Sequence, residues 1–291
     1  MRRPDFRILV RRGLRKVRVF RDWVNTYLIT KEKEGVSSRG YKLVGGAYAT
    51  DRKMLKGRYE ERETEIIERL LKENDIFVDV GANIGIYTCL ARFLGKPAIA
   101  IEPQPRNLKY LYTNLASNGW RDTEVHPLGL SDRPGTLPLY GATGPSASLV
   151  RGWAGISKRI RQTISITTMD ALLGERFPGK RIMIKIDVEG AEYQVLLGAR
   201  RTAGRSPSPV WIMEISLGEY YPEGINPHFA ATFDFFWGQG YEARLADAAL
   251  TPVSPEDVRR WVTAGRTDTG LINYVFMNES GRRLSPPTSP A

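Results

Sequence analysis

Ile76-Phe77-Val78-Asp79-Val80-Gly81-Ala82-Asn83-Ile84-Gly85-Ile86-Tyr87-Thr88 reads as strand, glycine turn and helix. Ile76 to Val80 is a short apolar run with β-branched residues, the pattern of a buried strand. Gly81 and Gly85 flank Asn83, and beyond them Ile84, Tyr87, Thr88, Ala91 and Leu94 recur at helical spacing. Such a turn lets a ligand approach bare backbone, and the helix start offers unpaired N–H groups. Asp79, near the C-terminal end of the strand, is expected to face the same crevice. Glu102 follows Gly81 by 21 residues and ends a second apolar run, Ala98-Ile99-Ala100-Ile101. An acid at that distance accepts both hydroxyls of a ribose. The stretch therefore predicts a nucleoside-bearing cofactor on a Rossmann-like unit.

The glycine spacing discriminates among cofactors. Dinucleotide binders carry G-x-G-x-x-G, with bare backbone beneath the pyrophosphate. Here Ile86 stands in place of the third glycine, and Asn83 is too bulky for a pyrophosphate seat. A nicotinamide oxidoreductase is disfavoured on that ground. Asn83 can instead hydrogen-bond an amino-acid carboxylate. The acid-x-Gly-x-Asn-x-Gly turn resembles the first motif of class I S-adenosylmethionine-dependent methyltransferases. A plain strand–turn–helix with an Asx turn is the competing reading, and the spacing of Glu102 weighs against it.

Composition bounds the rest. The 291 residues suffice for one large domain or a domain with extensions, and an apolar fraction of 42% supports a full core. A single cysteine, Cys89, excludes an internal disulfide. Two histidines, His126 and His228, do not make a His-rich metal site. No apolar run reaches transmembrane length, and no apolar segment of the secretory kind follows the basic N-terminus. A cytoplasmic location is the expectation. The net charge of +11 is unevenly placed: residues 2–21 hold nine Arg and Lys against Asp5 alone, leaving +3 for the remainder. A nucleic-acid partner therefore loses its main support. Phe6, Val10, Leu14 and Val17 are spaced for an amphipathic helix with arginines between them. The basic extension, residues 1–35, is read either as a helix packed on the body or as a peripheral contact with an anionic membrane.

Along the chain, strand character around Tyr41–Val44 precedes a helix over residues 61–72 whose apolar face is Ile66, Ile67, Leu70 and Leu71. Tyr59 and Glu60 at its approach are candidates to line the cofactor pocket, or a plain helix start with acids favoured by the dipole. A helix from about Pro105 to Ser117 stops at Asn118-Gly119. A third strand, residues 124–128, leads to Leu130-Ser131-Asp132. Ser131 or Asp132 there would hydrogen-bond an adenine, although Ser-Asp-x-Pro-Gly also spells a turn. Residues 135–170 break the βα rhythm with two alternating strands around a Gly/Ser/Arg-rich loop that holds Trp153. A long insertion beside a cofactor crevice suits a substrate-binding element. Its Arg151, Arg159 and Arg161 would suit an anionic acceptor, or are ordinary surface charge. Val210 to Ile215 is a fifth strand ending in the acid Glu214, residues 227–238 form an aromatic helix, and residues 240–245 and 271–277 form a terminal pair, the last antiparallel. Residues 278–291 read as a disordered tail.

The second informative stretch is Lys185-Ile186-Asp187-Val188-Glu189-Gly190-Ala191-Glu192, a buried strand expected to pass at once into a helix from Glu189 to Arg200. Asp187 would arrive beside the Gly81 turn at the topological switch point. An N-cap with first-turn acids explains the carboxylates but neither Lys185 in a buried strand nor Gly190 in a helix start. Taken with Val78 to Gly85, Glu102-Pro103 and Leu130-Ser131-Asp132, this motif resembles the FkbM family of methyltransferases, over residues 57–216 closely and the last strands loosely. The resemblance implies an α/β, Rossmann-like class I methyltransferase domain over residues 36–277, its sheet of seven strands in the order 3-2-1-4-5-7-6. It implies S-adenosylmethionine as cofactor and O-methylation of a small-molecule, sugar or glycan hydroxyl. Asp79, Gly81, Asn83, Gly85 and Glu102 match the cofactor motif. Asp187, Glu189 and Glu192 match the second signature.

A hydroxyl acceptor calls for a general base or a metal. No histidine falls in either motif, so Asp187, Glu189 and Glu214 are the candidate bases, and the same carboxylates are the candidate ligands of a divalent cation. Two other classes stay open. A nucleic-acid methyltransferase is disfavoured because Asp187-Val188-Glu189-Gly190 replaces the Asp/Asn-Pro-Pro-aromatic run of amino-methylating enzymes. A non-catalytic, membrane-tethered binding module on the same fold is disfavoured by the intact cofactor motif.

Overall fold

The computed structural model describes residues 33–45, 61–141, 147–218 and 220–278. The basic segment 1–21, Tyr59 and Glu60, and the tail from residue 279 lie outside these residues. Among the described residues, no helix is long and apolar enough to cross a membrane.

The described residues open with a hairpin, β1 (Lys33–Val36) and β2 (Lys42–Gly45), paired antiparallel. Lys33 to Gly35, counted with the N-terminal extension in the sequence, pair with Gly45 to Leu43 of β2. Helix α1 (Glu61–Glu73) then leads into β3 (Ile76–Val80), α2 (Ile86–Phe93), β4 (Ala98–Ile101), α3 (Pro105–Ser117) and β5 (Glu124–His126). Short strand β6 (Gly129–Leu130) leaves the main sheet and joins β7 (Gly135–Tyr140) and β8 (Arg161–Thr167) in a small three-stranded sheet, order β6-β8-β7. Next come α4 (Met169–Leu173), β9 (Ile182–Ile186), α5 (Glu192–Leu197), α6 (Arg200–Ala203) and β10 (Val210–Glu214). The chain continues through α7 (Phe229–Trp237), β11 (Glu242–Leu245), β12 (Pro252–Val253), α8 (Pro255–Ala264) and β13 (Asn273–Met277).

The main sheet runs β12-β11-β13-β10-β9-β3-β4-β5, eight strands where the sequence predicts seven. The added strand is Pro252-Val253, which pairs with β11 at the edge, where a proline breaks no central ladder. Strands β10, β9, β3, β4 and β5 are parallel, and β13 is antiparallel to its neighbours β10 and β11. β3, β4 and β9 are buried throughout, as parallel strands covered on both faces must be. Alternation divides their side chains between two cores. Val78, Val80, Ile184 and Trp211 pack with the aromatic helix α7 on one face. Phe77, Ala100, Met183 and Ile212 pack with α1, α2 and Leu43 of the hairpin on the other.

The hairpin is tied to the body by Asn114 of α3. Its buried amide accepts from the Val44 N–H at 2.5 Å and donates to the Val44 and Ile84 carbonyls at 3.1 and 2.7 Å. It thus serves β2 as a neighbouring strand would, and it reaches the glycine turn through Ile84.

The expected helix from Glu189 to Arg200 is a correction. The helix starts at Glu192 with Ala191 as N-cap and stops at Leu197, and a separate turn begins at Arg200. Glu189 and Gly190 have φ of 55° and 98°, and two successive left-handed residues cannot enter a right-handed helix. The third strand likewise ends at His126 rather than Leu128.

Candidate active site

At the C-terminal edge of the parallel strands lies a cleft. Gly81, Asn83, Glu102, Asp187 and Glu189 all line it. β3, β4 and β9 are adjacent, so their C-terminal loops meet there, as the switch point of a doubly wound sheet requires. Gly81 has φ +83°, and a Cβ on it would lie 1.8 Å from the Asp187 carbonyl oxygen. Only glycine lets the β3 and β9 loops close on each other here.

Glu102 is buried, and its two carboxylate oxygens accept from the Asn83 and Gln104 backbone N–H groups, each at 2.8 Å. The Asn83 backbone adopts φ 52°, a left-handed conformation that asparagine tolerates. Burial pushes the Glu102 carboxyl up to about 7, against the lowering effect of the Gln104 and Asn83 N–H groups and the Asn107 side chain. Asn107 of α3 lines the cleft as well. No local sequence signal marks it, since only tertiary packing brings α3 over Glu102.

Asp79 does not line the cleft. It is fully buried behind the turn, where Thr88 Oγ1 donates to its carboxylate at 2.5 Å. It pairs in register with Lys185 of β9. Lys185, itself buried, places Nζ 2.9 Å from Asp187 and 3.7 Å from Glu63 of α1, and 4.9 Å from the centre of the Tyr87 ring. Burial raises the Asp79 pKa above its ordinary value, opposed by the neighbouring Lys185 charge. The lysine that the sequence leaves without a role is thus the counter-ion of a buried carboxylate cluster. Gly85 also stands outside the cleft, at the cap of α2.

The loop after β9 is held from three sides. Glu192, buried, accepts from the Gly190 and Val188 N–H groups at 2.9 and 3.4 Å, and burial raises it to about 7. Trp153 Nε1 donates to Glu189 Oε2 at 2.6 Å, and its ring lies where a Cβ on Gly190 would be, 2.5 Å away. Tyr221 donates to the Gly190 carbonyl at 2.9 Å. Gly190 is therefore demanded both by its positive φ and by the indole. The insertion meets the second motif through Trp153, which begins a short 3₁₀ turn (Trp153–Gly155).

Besides Asp79 and Gly85, three more of the predicted site residues fall outside the cleft. Ser131 and Asp132 do not line the cleft, because β6 turns away into the small sheet; its wall is formed by Gly129 and Leu130. Ser131 is buried and donates to Asp132, which is exposed. Glu214 is not in the lining either. It pairs in register with Asn273, whose amide donates to Glu63 at 2.9 Å on the Lys185 side of the sheet. Among the described residues, no group of three or more His, Cys, Asp or Glu is arranged to hold a metal ion.

Comparison with known proteins agrees with this geometry. Methyltransferase sdnD of Sordaria araneosa is 27% identical over 68% of this chain and 84% of its own length. Hexuronic acid methyltransferase AglP of Haloferax volcanii is 32% identical over 47% of this chain, which spans just over half (56%) of that relative. Among solved structures, the precorrin-6y C5,15-methyltransferase of Geobacter metallireducens GS-15 aligns with a TM-score of 0.40 at 15% identity, over 68% of this chain and 80% of that one. The Methyltransferase FkbM domain matches residues 79–243, from the acid of the first motif to β11. With that match over more than half of its length, the chain belongs to the FkbM methyltransferase family.

Proposed function

We propose that this protein O-methylates a hydroxyl of a sugar, glycan, glycolipid or secondary metabolite, with S-adenosylmethionine as donor. One observation carries the reading: the Gly81 turn, the buried Glu102 carboxylate and the Asp187 and Glu189 carboxylates line a single cleft. The residues fit the cofactor. Two backbone N–H groups and the Asn107 side chain take three of the roughly four acceptor sites of the Glu102 carboxylate, and the remaining one is left for a ribose hydroxyl. Pro103, Leu130, Leu139 and Ile164 supply apolar walls for an adenine. The Gly81 and Asn83 backbone edges the end where an amino-acid moiety would sit. When bound, the cofactor supplies a methyl on a sulfonium, which departs as a neutral thioether as the acceptor oxygen takes the methyl.

The protein's own contribution is positioning and a proton acceptor. Asp187 and Glu189 are the two carboxylates of the β9 loop in the cleft, and either takes the hydroxyl proton as the O–C bond forms. Lys185 orients the Asp187 carboxylate, and Trp153 orients that of Glu189. Glu214 does not line the cleft and has no role in this reading. Among the described residues there is no three-ligand set for a divalent cation. The AglP relative is named for methylating a hexuronic acid, which supports a sugar-type acceptor.

Calorimetry with S-adenosylmethionine on wild type, Asp79→Ala and Glu102→Ala tests the reading. Binding that Glu102→Ala weakens at least tenfold, about 1.4 kcal/mol, supports it. A folded wild type that binds no cofactor, with or without an acceptor or divalent metal, would overturn it.

A further inference from the structure

A second cavity of about 610 Å³ lies beside the cleft. The two share Leu149 of the insertion, and Gly190, next to the cleft residue Glu189, lines the second. Leu130 and Ser131 are likewise neighbours in the chain that line the cleft and the cavity respectively. The polar side chains of this cavity are Ser131, Arg151, Gln194, Tyr221, Glu223 and His228, and the Tyr221 hydroxyl is already committed to the Gly190 carbonyl. The His228 ring is stacked on Tyr193 with centroids 4.8 Å apart and planes 15° apart, which fixes its orientation. Among the described residues, Arg151 enters no ion pair, whereas Arg176 and Arg244 pair with carboxylates. Glu223, the carboxylate of the lining, is exposed, and Arg151 is exposed as well. Of the three insertion arginines that the sequence offers for an anionic acceptor, Arg151 alone lines the cavity; Arg159 and Arg161 line neither space.

We propose that this cavity is the acceptor subsite and that it takes a hydroxyl compound carrying an anionic group, a carboxylate or a phosphate, held by Arg151 beside His228. The inference rests on the methyltransferase reading and adds the acceptor's charge and direction of entry. Electrostatics orients the ligand. The cleft end holds Asp187, Glu189 and Glu102, which repel an anion, while the far end holds a guanidinium whose fork suits a carboxylate or phosphate. The anionic group therefore seats at Arg151, and a hydroxyl at the other end of the molecule passes Leu149 toward Glu189. Leu149 and Ile225 cover the apolar face of the acceptor between them.

The test uses the full chain saturated with S-adenosylhomocysteine, titrated by calorimetry with three probes. These are 4-nitrophenyl β-D-glucuronide, 4-nitrophenyl β-D-glucoside 6-phosphate and the neutral 4-nitrophenyl β-D-glucoside. We expect at least one anionic probe to bind about tenfold tighter than the neutral one, with that preference lost in Arg151→Gln and S-adenosylhomocysteine affinity unchanged. Preference for the glucuronide assigns a carboxylate, and preference for the phosphate assigns a phosphoryl group. Equal binding of all three, a preference that survives Arg151→Gln, or binding of S-adenosylhomocysteine but of no probe overturns the proposal. Failure to bind S-adenosylhomocysteine marks instead the failure of the methyltransferase reading, and this inference falls with it.

Discussion

Glu102 and Lys185 are the two side chains whose burial has the sharpest consequences. A carboxyl that titrates near 7 is mostly ionised at pH 8 and mostly protonated at pH 6. With Glu102 holding the ribose as proposed, its ionised form is the acceptor of the ribose hydroxyls, so S-adenosylhomocysteine affinity should fall roughly tenfold from pH 8 to pH 6. Titration calorimetry across that range checks this, and in Glu102→Ala the pH dependence should vanish. Lys185 faces Asp187 and Glu63 from a buried strand, with Asp79 paired beside it. Removing one partner from such a cluster leaves uncompensated charge. Lys185→Met should cost about 3–5 kcal/mol in urea unfolding at pH 8. The loss should shrink at pH 5, where Asp79, already shifted upward, gives up its charge more readily. The lysine was visible in the sequence as an anomaly. Its meaning was not, because Glu63 is 122 residues away along the chain.

At the scale of elements, the β9 loop decides the chemistry. Glu192 holds two N–H groups of that loop and is raised to about 7 against an ordinary value of 4.5. A raised carboxyl stabilises the fold most below its unfolded pKa, and that contribution fades as pH rises from about 4.5 through 7. Glu192→Gln keeps an acceptor oxygen and carries no charge. Its thermal midpoint should therefore drop less than that of wild type between pH 5 and pH 8, read by a calorimetric melt at each pH. Trp153→Phe keeps a ring against Gly190 and removes the N–H donated to Glu189. Turnover should fall about tenfold, a loss of about 1.4 kcal/mol, with S-adenosylhomocysteine affinity and melting midpoint nearly unchanged. Equal turnover would remove Glu189 from the mechanism. Periodicity placed the strand and the acids of this element, but it ran the helix back to Glu189 because two left-handed residues leave no trace in an apolar pattern.

Across the whole molecule, long-range polar ties set what periodicity cannot. Asn114 joins the hairpin, α3 and the glycine turn through three hydrogen bonds. Asn114→Ala would leave a buried N–H and two buried carbonyls without that partner, at about 1–3 kcal/mol for such a group. Urea unfolding should show a loss of roughly 2–4 kcal/mol, and cofactor affinity should weaken because Ile84 belongs to the turn. The small sheet β6-β8-β7 acts at the same scale. By drawing β6 out of the main sheet it removes Ser131 and Asp132 from the cleft and presents Gly129 and Leu130 instead.

The sequence by itself determined the strand–turn–helix about Gly81, the acid at Glu102, the buried parallel strands and the second motif at Asp187. Each of these is a local pattern, written in neighbouring residues and in the alternation of apolar positions. Tertiary structure alone decided which carboxylates meet. It brought Asp187 and Glu189 to Glu102 and left Glu214 with Asn273. It also set Trp153 on Gly190 and placed Arg151 in a cavity beside Glu189. Those pairings join residues far apart in the chain, and they are set by sheet order and by which face of a strand each side chain takes. Composition and spacing carry neither.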